Sequence, residues 1–170
     1  LAYDGNTSGS ASFYFDELGL DPAVSDVVTV IFRAKGISTD SPDRYAEMTI
    51  GLGDWRVQFW PESDQLDASG VDGYSYADDP NGLDPLNWNI YRITCNSITG
   101  EVRVYVNENP DPIEALNTSM EPRTDVGYRV VFGDGSGGNN YDGLYDYIIV
   151  ESSGAYSPED LPLSKILGEE

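Results

Sequence analysis

The stretch YRVVFGDGSGGNNYDGLYDYIIV, Tyr128 to Val150, reads as strand, loop, strand. Tyr128–Phe132 and Leu144–Val150 are dense in β-branched and aromatic residues, which pack well on a pleated surface. Gly133–Gly143 between them is almost wholly Gly, Ser, Asn and Asp. Its glycines permit positive φ, and Asp134, Asn139, Asn140 and Asp142 supply side-chain oxygens. Such a loop can wrap a hard cation such as calcium, which takes roughly six to eight oxygen ligands. The same composition also builds ordinary long turns. An EF-hand is excluded, because the twelfth position from Asp134 is Tyr145, where that loop needs Glu.

The rest of the chain repeats the short-strand pattern. Phe13 and Phe15 alternate with Tyr14. Val27–Ala34 is apolar on both faces over much of its length, as a central strand is. Ala46, Met48, Ile50 and Leu52 alternate with Glu47, Thr49 and Gly51. Trp55–Trp60 alternates again and ends at Pro61. Trp88–Cys95 and Glu101–Asn107 are joined by a short Gly-containing loop, which predicts a hairpin. Glu62–Pro85, acidic and interrupted by Gly and Pro, is expected to be a long binding loop, and Pro110–Arg123 a further loop. Ser157-Pro158-Glu159-Asp160 predicts one helical turn with a Ser cap, stopped by Pro162. Short strands between turn clusters, with no helical stripe, predict an all-β, two-sheet antiparallel sandwich over residues 1–162, with 163–170 as a tail or linker.

Composition narrows the function. The chain has 170 residues, enough for one domain with a sizeable core. Lys and Arg number 9 against 30 Asp and Glu, a net charge of −21. That balance argues against nucleic acid and anionic membrane surfaces as partners. No apolar run is long enough to span a membrane. A start at Leu1 rather than Met is expected of an excised or mature fragment of something longer. Cys95 is alone, so no intrachain disulfide forms, and its strand setting predicts a buried thiol. Histidine is absent, which removes Ser-His and Cys-His nucleophiles and most zinc sites.

Three stretches carry a resemblance. Asn140-Tyr141-Asp142-Gly143-Leu144-Tyr145-Asp146-Tyr147-Ile148-Ile149-Val150, followed by Ser157-Pro158-Glu159-Asp160-Leu161, resembles the C-terminal end of laminin-G-like, concanavalin-A-like jelly-roll domains. Leu1-Ala2-Tyr3-Asp4-Gly5 is similar to the opening of the same family. Trp88-Asn89-Ile90-Tyr91-Arg92-Ile93-Thr94, through Thr99-Gly100 to Val102–Asn107, resembles its hairpin. The sequence departs at Tyr91, where the family often has His. The resemblance implies a concanavalin-A-like jelly roll and a bacterial, secreted parent with further domains. Glycosidases of this fold share a Glu-x-Asp-x-x-Glu strand. Its nearest match here is Glu62-Ser63-Asp64-Gln65-Leu66-Asp67, with Asp last and in a loop-like setting.

Candidate binding residues follow from strand alternation. In Trp55–Trp60, Trp55, Val57 and Phe59 point to the core and Arg56, Gln58 and Trp60 point away. In Glu101–Asn107 the valines are core, and Arg103 and Tyr105 lie on the other face. Flat aromatics beside planar hydrogen-bonding groups suit a sugar. If the two strands share a sheet, they build one groove floor, with Tyr74 and Tyr76 of the acidic loop at its rim. Arg56 and Arg103 would then form a positive strip for a carboxylated or sulfated glycan. An ordinary solvated face with cross-strand ion pairs is the competing account. The expectation is a calcium-stabilised, non-catalytic module that binds polysaccharide outside the cell or at its surface. A protein-binding adhesion domain and a polysaccharide-degrading enzyme using the Glu62 region are the rivals.

Overall fold

A computed structural model describes residues 2–4, 10–21, 26–37, 46–62, 64–124, 126–133 and 142–168. The strands are β1 (Ala2–Asp4), β2 (Ser10–Tyr14), β3 (Val27–Gly36), β4 (Met48–Leu52), β5 (Trp55–Pro61), β6 (Gln65–Ala68) and β7 (Tyr74–Ser75). They continue with β8 (Asn89–Asn96), β9 (Glu101–Val106), β10 (Thr118–Ser119), β11 (Glu121–Pro122), β12 (Arg129–Gly133) and β13 (Asp142–Glu151). One short helix, α1 (Leu163–Leu167), follows.

The strands form two antiparallel sheets. The six-stranded sheet runs β1-β13-β3-β8-β9-β10, and the seven-stranded sheet runs β2-β12-β4-β5-β6-β7 with β11 beside β5. This is the expected concanavalin-A-like jelly-roll sandwich. The strands of the Tyr128–Val150 stretch part company: β12 lies in one sheet and β13 in the other. Val27–Ala34 is central, as its two-faced apolarity predicts.

Alternation fills the space between the sheets. Val28, Val30 and Phe32 of β3, Tyr91, Ile93 and Cys95 of β8, and Val102 and Val104 of β9 face Met48, Ile50, Val57, Phe59, Leu66 and Val130. Phe32 stacks on Tyr91 with centroids 5.1 Å apart, and Phe59 reaches across to Tyr91 at 5.5 Å. Burial pushes the Cys95 thiol up, so it is an inert core residue.

Three local expectations change. Glu62–Pro85 is not one loop, because it contains β6, β7 and a 3-10 turn over Tyr76–Asp78. Pro110–Arg123 likewise holds β10, β11 and a 3-10 turn over Glu114–Leu116. These strands are too short for periodicity to mark them. The Ser-capped turn at 157–160 forms as expected, with Leu161 N donating to the Ser157 carbonyl and Asp160 N to Ser157 Oγ, but a second helical segment begins beyond Pro162, where only a tail was expected. Proline is suited to a helix start, where its missing N–H is no loss.

Candidate functional site

Each sheet has an outer face, and the candidate residues divide between them. Arg56, Gln58 and Trp60 stand on β5 in the seven-stranded sheet, while Arg103 and Tyr105 stand on β9 in the six-stranded sheet. The single groove floor that would join them therefore does not form. A period-two pattern fixes which face a side chain takes, but not which sheet its strand joins.

Part of the outer face of the six-stranded sheet, around Arg92, Thr94 and Tyr105, is covered by its own chain. Residues 152–168 fold back over it. Thr29 Oγ1 donates to the Gly154 carbonyl at 2.8 Å and accepts from Tyr156 N at 2.8 Å. Arg92, 0% exposed, donates through Nη1 to the Tyr156 and Ser157 carbonyls at 3.2 and 3.1 Å. Its Nε and Nη2 hold both oxygens of Glu108, at 3.1 and 2.6 Å. Leu163 N, at the start of α1, donates to Glu108 at 3.3 Å. The tail from residue 163 is thus tied to the sandwich. Asn107 and Glu108 adopt φ of 52° and 57° in a turn closed by Asn109 N to the Val106 carbonyl. A Glu in that conformation costs on the order of 1–3 kcal/mol, and it aims the carboxylate at Arg92. Under this cover Tyr105 is 3% exposed. Arg103 is exposed and bonds Glu101 through Nε at 2.7 Å.

The outer face of the seven-stranded sheet keeps exposed surface. Thr49 and Gln58 are cross-strand partners, as are Trp60 and Asp67, and Glu47 precedes β4 at the Trp60 end. Thr49, Gln58, Trp60, Gln65 and Asp67 are all half-buried. Gln58 Nε2 donates to Glu47 Oε1 at 2.9 Å and to Thr49 Oγ1 at 3.4 Å. Among the described residues no donor reaches the Gln58 side-chain carbonyl. Trp60 Nε1 donates to Glu62 Oε1 at 2.9 Å. Gln65 Nε2 donates to Asp67 Oδ2 at 2.9 Å. Gly73 leaves room for those two side chains, since a Cβ there would strike Gln65 Oε1 at 2.7 Å.

The cation strip is not free. Arg33, Arg56, Arg92, Arg103 and Arg129 lie in strands. Arg33 pairs with Asp146, Arg56 with Glu121, Arg92 with Glu108 and Arg103 with Glu101. Arg129 lies over the Tyr14 ring. Of these acidic partners, Glu108 and Glu121 look like loop charge in the sequence, whereas Glu101 and Asp146 fall in expected strands. Among the described residues, the carboxylates Glu47, Glu62 and Asp67 stand around Trp60.

Tyr74 and Tyr76 turn inward. Tyr74 pairs with the buried Leu66, so it lies on the core side of β7, opposite the face of Trp60. Burial, and then Asp79, push its hydroxyl up, and it donates to Asp79 at 3.2 Å. Tyr76 packs on the core and donates to the Glu62 carbonyl at 3.1 Å. The Glu62 run is also altered: Asp67 sits in β6 beside Trp60, and Asp64 is exposed. Asp134, Asn139 and Asn140 lie outside the described residues, and Asp142 is described only through its backbone in β13. The strand alternation that exposed Gln58 also contained Thr49 and Glu47, whose cross-strand partners emerge only with the register.

Solved structures share this fold. Trypanosoma rangeli sialidase in complex with 2,3-difluorosialic acid superposes with a TM-score of 0.63 at 12% identity, over 98% of this chain and 27% of that one. Its complex with 2,3-difluoro-KDN gives 0.62 at 15% identity, with 98% and 27% covered. A further sialidase gives 0.51 at 9% identity, with 85% and 14% covered. The chain therefore spans about a quarter of the length of the first sialidases it matches. At these identities the likeness is one of fold. No protein-family model matches the chain, and no curated protein matches it either.

Proposed function

We propose that the chain is a non-catalytic carbohydrate-binding module of laminin-G-like type, part of a larger extracellular protein. Its ligand lies on the outer face of the seven-stranded sheet. One observation carries this reading: Trp60, Gln58, Thr49 and Asp67 keep exposed surface on that face, while Arg92, Thr94 and Tyr105 on the opposite sheet are covered. A half-exposed indole offers an apolar platform for the C–H face of a pyranose. The Gln58 carbonyl and the Asp67 carboxylate beside Trp60 accept hydrogen bonds from hydroxyls. Because Arg56 is already paired with Glu121, this face suits a neutral polysaccharide better than an anionic one. Trypanosoma rangeli sialidase structures that share the fold are complexes with sugars, one of them sialic acid, so carbohydrate is the ligand class to test first.

Calcium at the Gly133–Gly143 loop belongs to the same proposal. It rests on the oxygen-rich sequence there and on the absence of a disulfide. The site proposed for sugar makes no use of it.

The test is a glycan array read beside a reducing-end assay on every hit. The module reading predicts neutral hits that Trp60→Ala and Gln58→Ala remove, with no new reducing ends. Hydrolysis that disappears in Glu62→Gln or Asp64→Asn would place the chain among the enzymes instead.

A further inference from the structure

Beyond that reading, one corner of the six-stranded sheet stays outside the reach of residues 152–168. Strand β3 alternates, with Val30, Phe32 and Ala34 in the core and Arg33 and Lys35 on the outer face. Trp88 stands just before β8, whose Asn89 pairs with Ala34, so the indole arrives beside Lys35. The Arg33 guanidinium carbon lies 5.0 Å from the ring centroid and Lys35 Nζ lies 5.3 Å from it. Trp88 nevertheless remains 36% exposed. Tyr147, the register partner of Arg33, flanks the group and is half-buried.

The charges around this indole differ from those around Trp60. Arg33 has Asp146 at 2.6 Å. Lys35 has no carboxylate within ion-pair distance among the described residues, on a chain with 30 acidic residues. Packing on an aromatic ring stabilises a cation without neutralising it. The ammonium is therefore a local positive point beside a flat apolar surface, on a molecule whose general charge repels anions.

We infer that Trp88, Lys35 and Arg33 form a second saccharide site, on the opposite sheet from the first, selective for sugar units bearing a carboxylate or sulfate. The indole takes the C–H face of the ring. Lys35 takes the anionic group as a point charge, and Arg33, whose Nη1 is held by Asp146, offers it the remaining guanidinium N–H donors. The −21 background disfavours anionic sugars over the general surface, and Asp67 beside Trp60 disfavours them at the first site.

The probes are trigalacturonate and a sulfated disaccharide, with cellotriose as the neutral comparison and tetraglutamate as the acidic peptide. Binding is followed by calorimetry and by the indole N–H resonances, of which the three tryptophans give one each. Both anionic sugars should shift the Trp88 resonance and leave Trp60 in place. Trp88→Ala should weaken them about tenfold or more, as loss of a central aromatic contact does. Trp88→Phe should keep part of the affinity, and Lys35→Gln should weaken them several-fold. Raising salt from about 50 to about 500 mM should weaken them further, because the ion pair is exposed. Binding unchanged in both Trp88→Ala and Lys35→Gln would overturn the inference. So would loss in Trp60→Ala instead, no binding of either anionic sugar, or tighter binding of tetraglutamate than of both. Cellotriose reports the first site separately, so failure of one site is distinguishable from failure of the other.

Discussion

The outer faces of the two sheets begin from the same kind of sequence and end differently. On β5 the outward residues are Arg56, Gln58 and Trp60, and on β9 they include Arg103 and Tyr105. Both sets are polar and aromatic, and both alternate with core residues. The β5 set keeps exposed surface, whereas Tyr105 is buried beneath residues 152–168 together with Arg92 and Thr94. What separates them is a segment more than 45 residues further along the chain, tied down by Arg92, Glu108 and Thr29. Local alternation determines the face, and a long-range contact determines whether the face can bind anything.

The comparison is most easily broken at Arg92. Arg92→Ala leaves Glu108 facing an emptied site and strands the Tyr156 and Ser157 carbonyls. Losing one partner of a buried pair costs about 3–5 kcal/mol, read by urea unfolding. The covering segment should also lose amide-exchange protection. A loss near zero would mean that residues 152–168 rest on the sheet without being held by it.

Calcium comes next in size. At one hundred times its dissociation constant it would stabilise the native state by about 2.7 kcal/mol, roughly 5–11 °C in Tm for a domain of this size. Melts in calcium and in chelator should differ by that much. Coincident melts would remove the metal from the account and leave both faces as they are.

A smaller effect is expected at Gly51, where the exposed face is crossed by its own chain. A Cβ there would strike Val126 Cγ1 and lie 2.6 Å from the Gly127 carbonyl oxygen. Gly51→Ala should cost about 1–3 kcal/mol, as overpacking does, with little change in glycan affinity. A large loss of affinity would extend the binding surface to the Arg56 end of β5.

Much of this was legible in the sequence. The sandwich, the central β3, the inward set on β5 and the buried Cys95 all follow from period-two alternation and turn clusters. The pairing of sheets did not follow, because nothing local in Arg103 or Tyr105 says that β9 and β5 are in different layers. Tyr74 and Tyr76 looked like rim aromatics because β7 has only two residues, too few to show a period. The arginines looked like a free strip because ion pairs such as Arg56 with Glu121, 65 residues apart, leave no trace in composition.

The central claim concerns which face binds, and amide chemical-shift mapping with a neutral oligosaccharide from the array tests it most directly. The account predicts shifts at Thr49, Gln58, Trp60 and Asp67, with none at Thr94, Arg103 or Tyr105. Trp60→Ala should lower affinity by more than about tenfold while destabilising the fold far less than Arg92→Ala. Shifts confined to the six-stranded sheet, with Trp60→Ala binding as well as wild type, would contradict it.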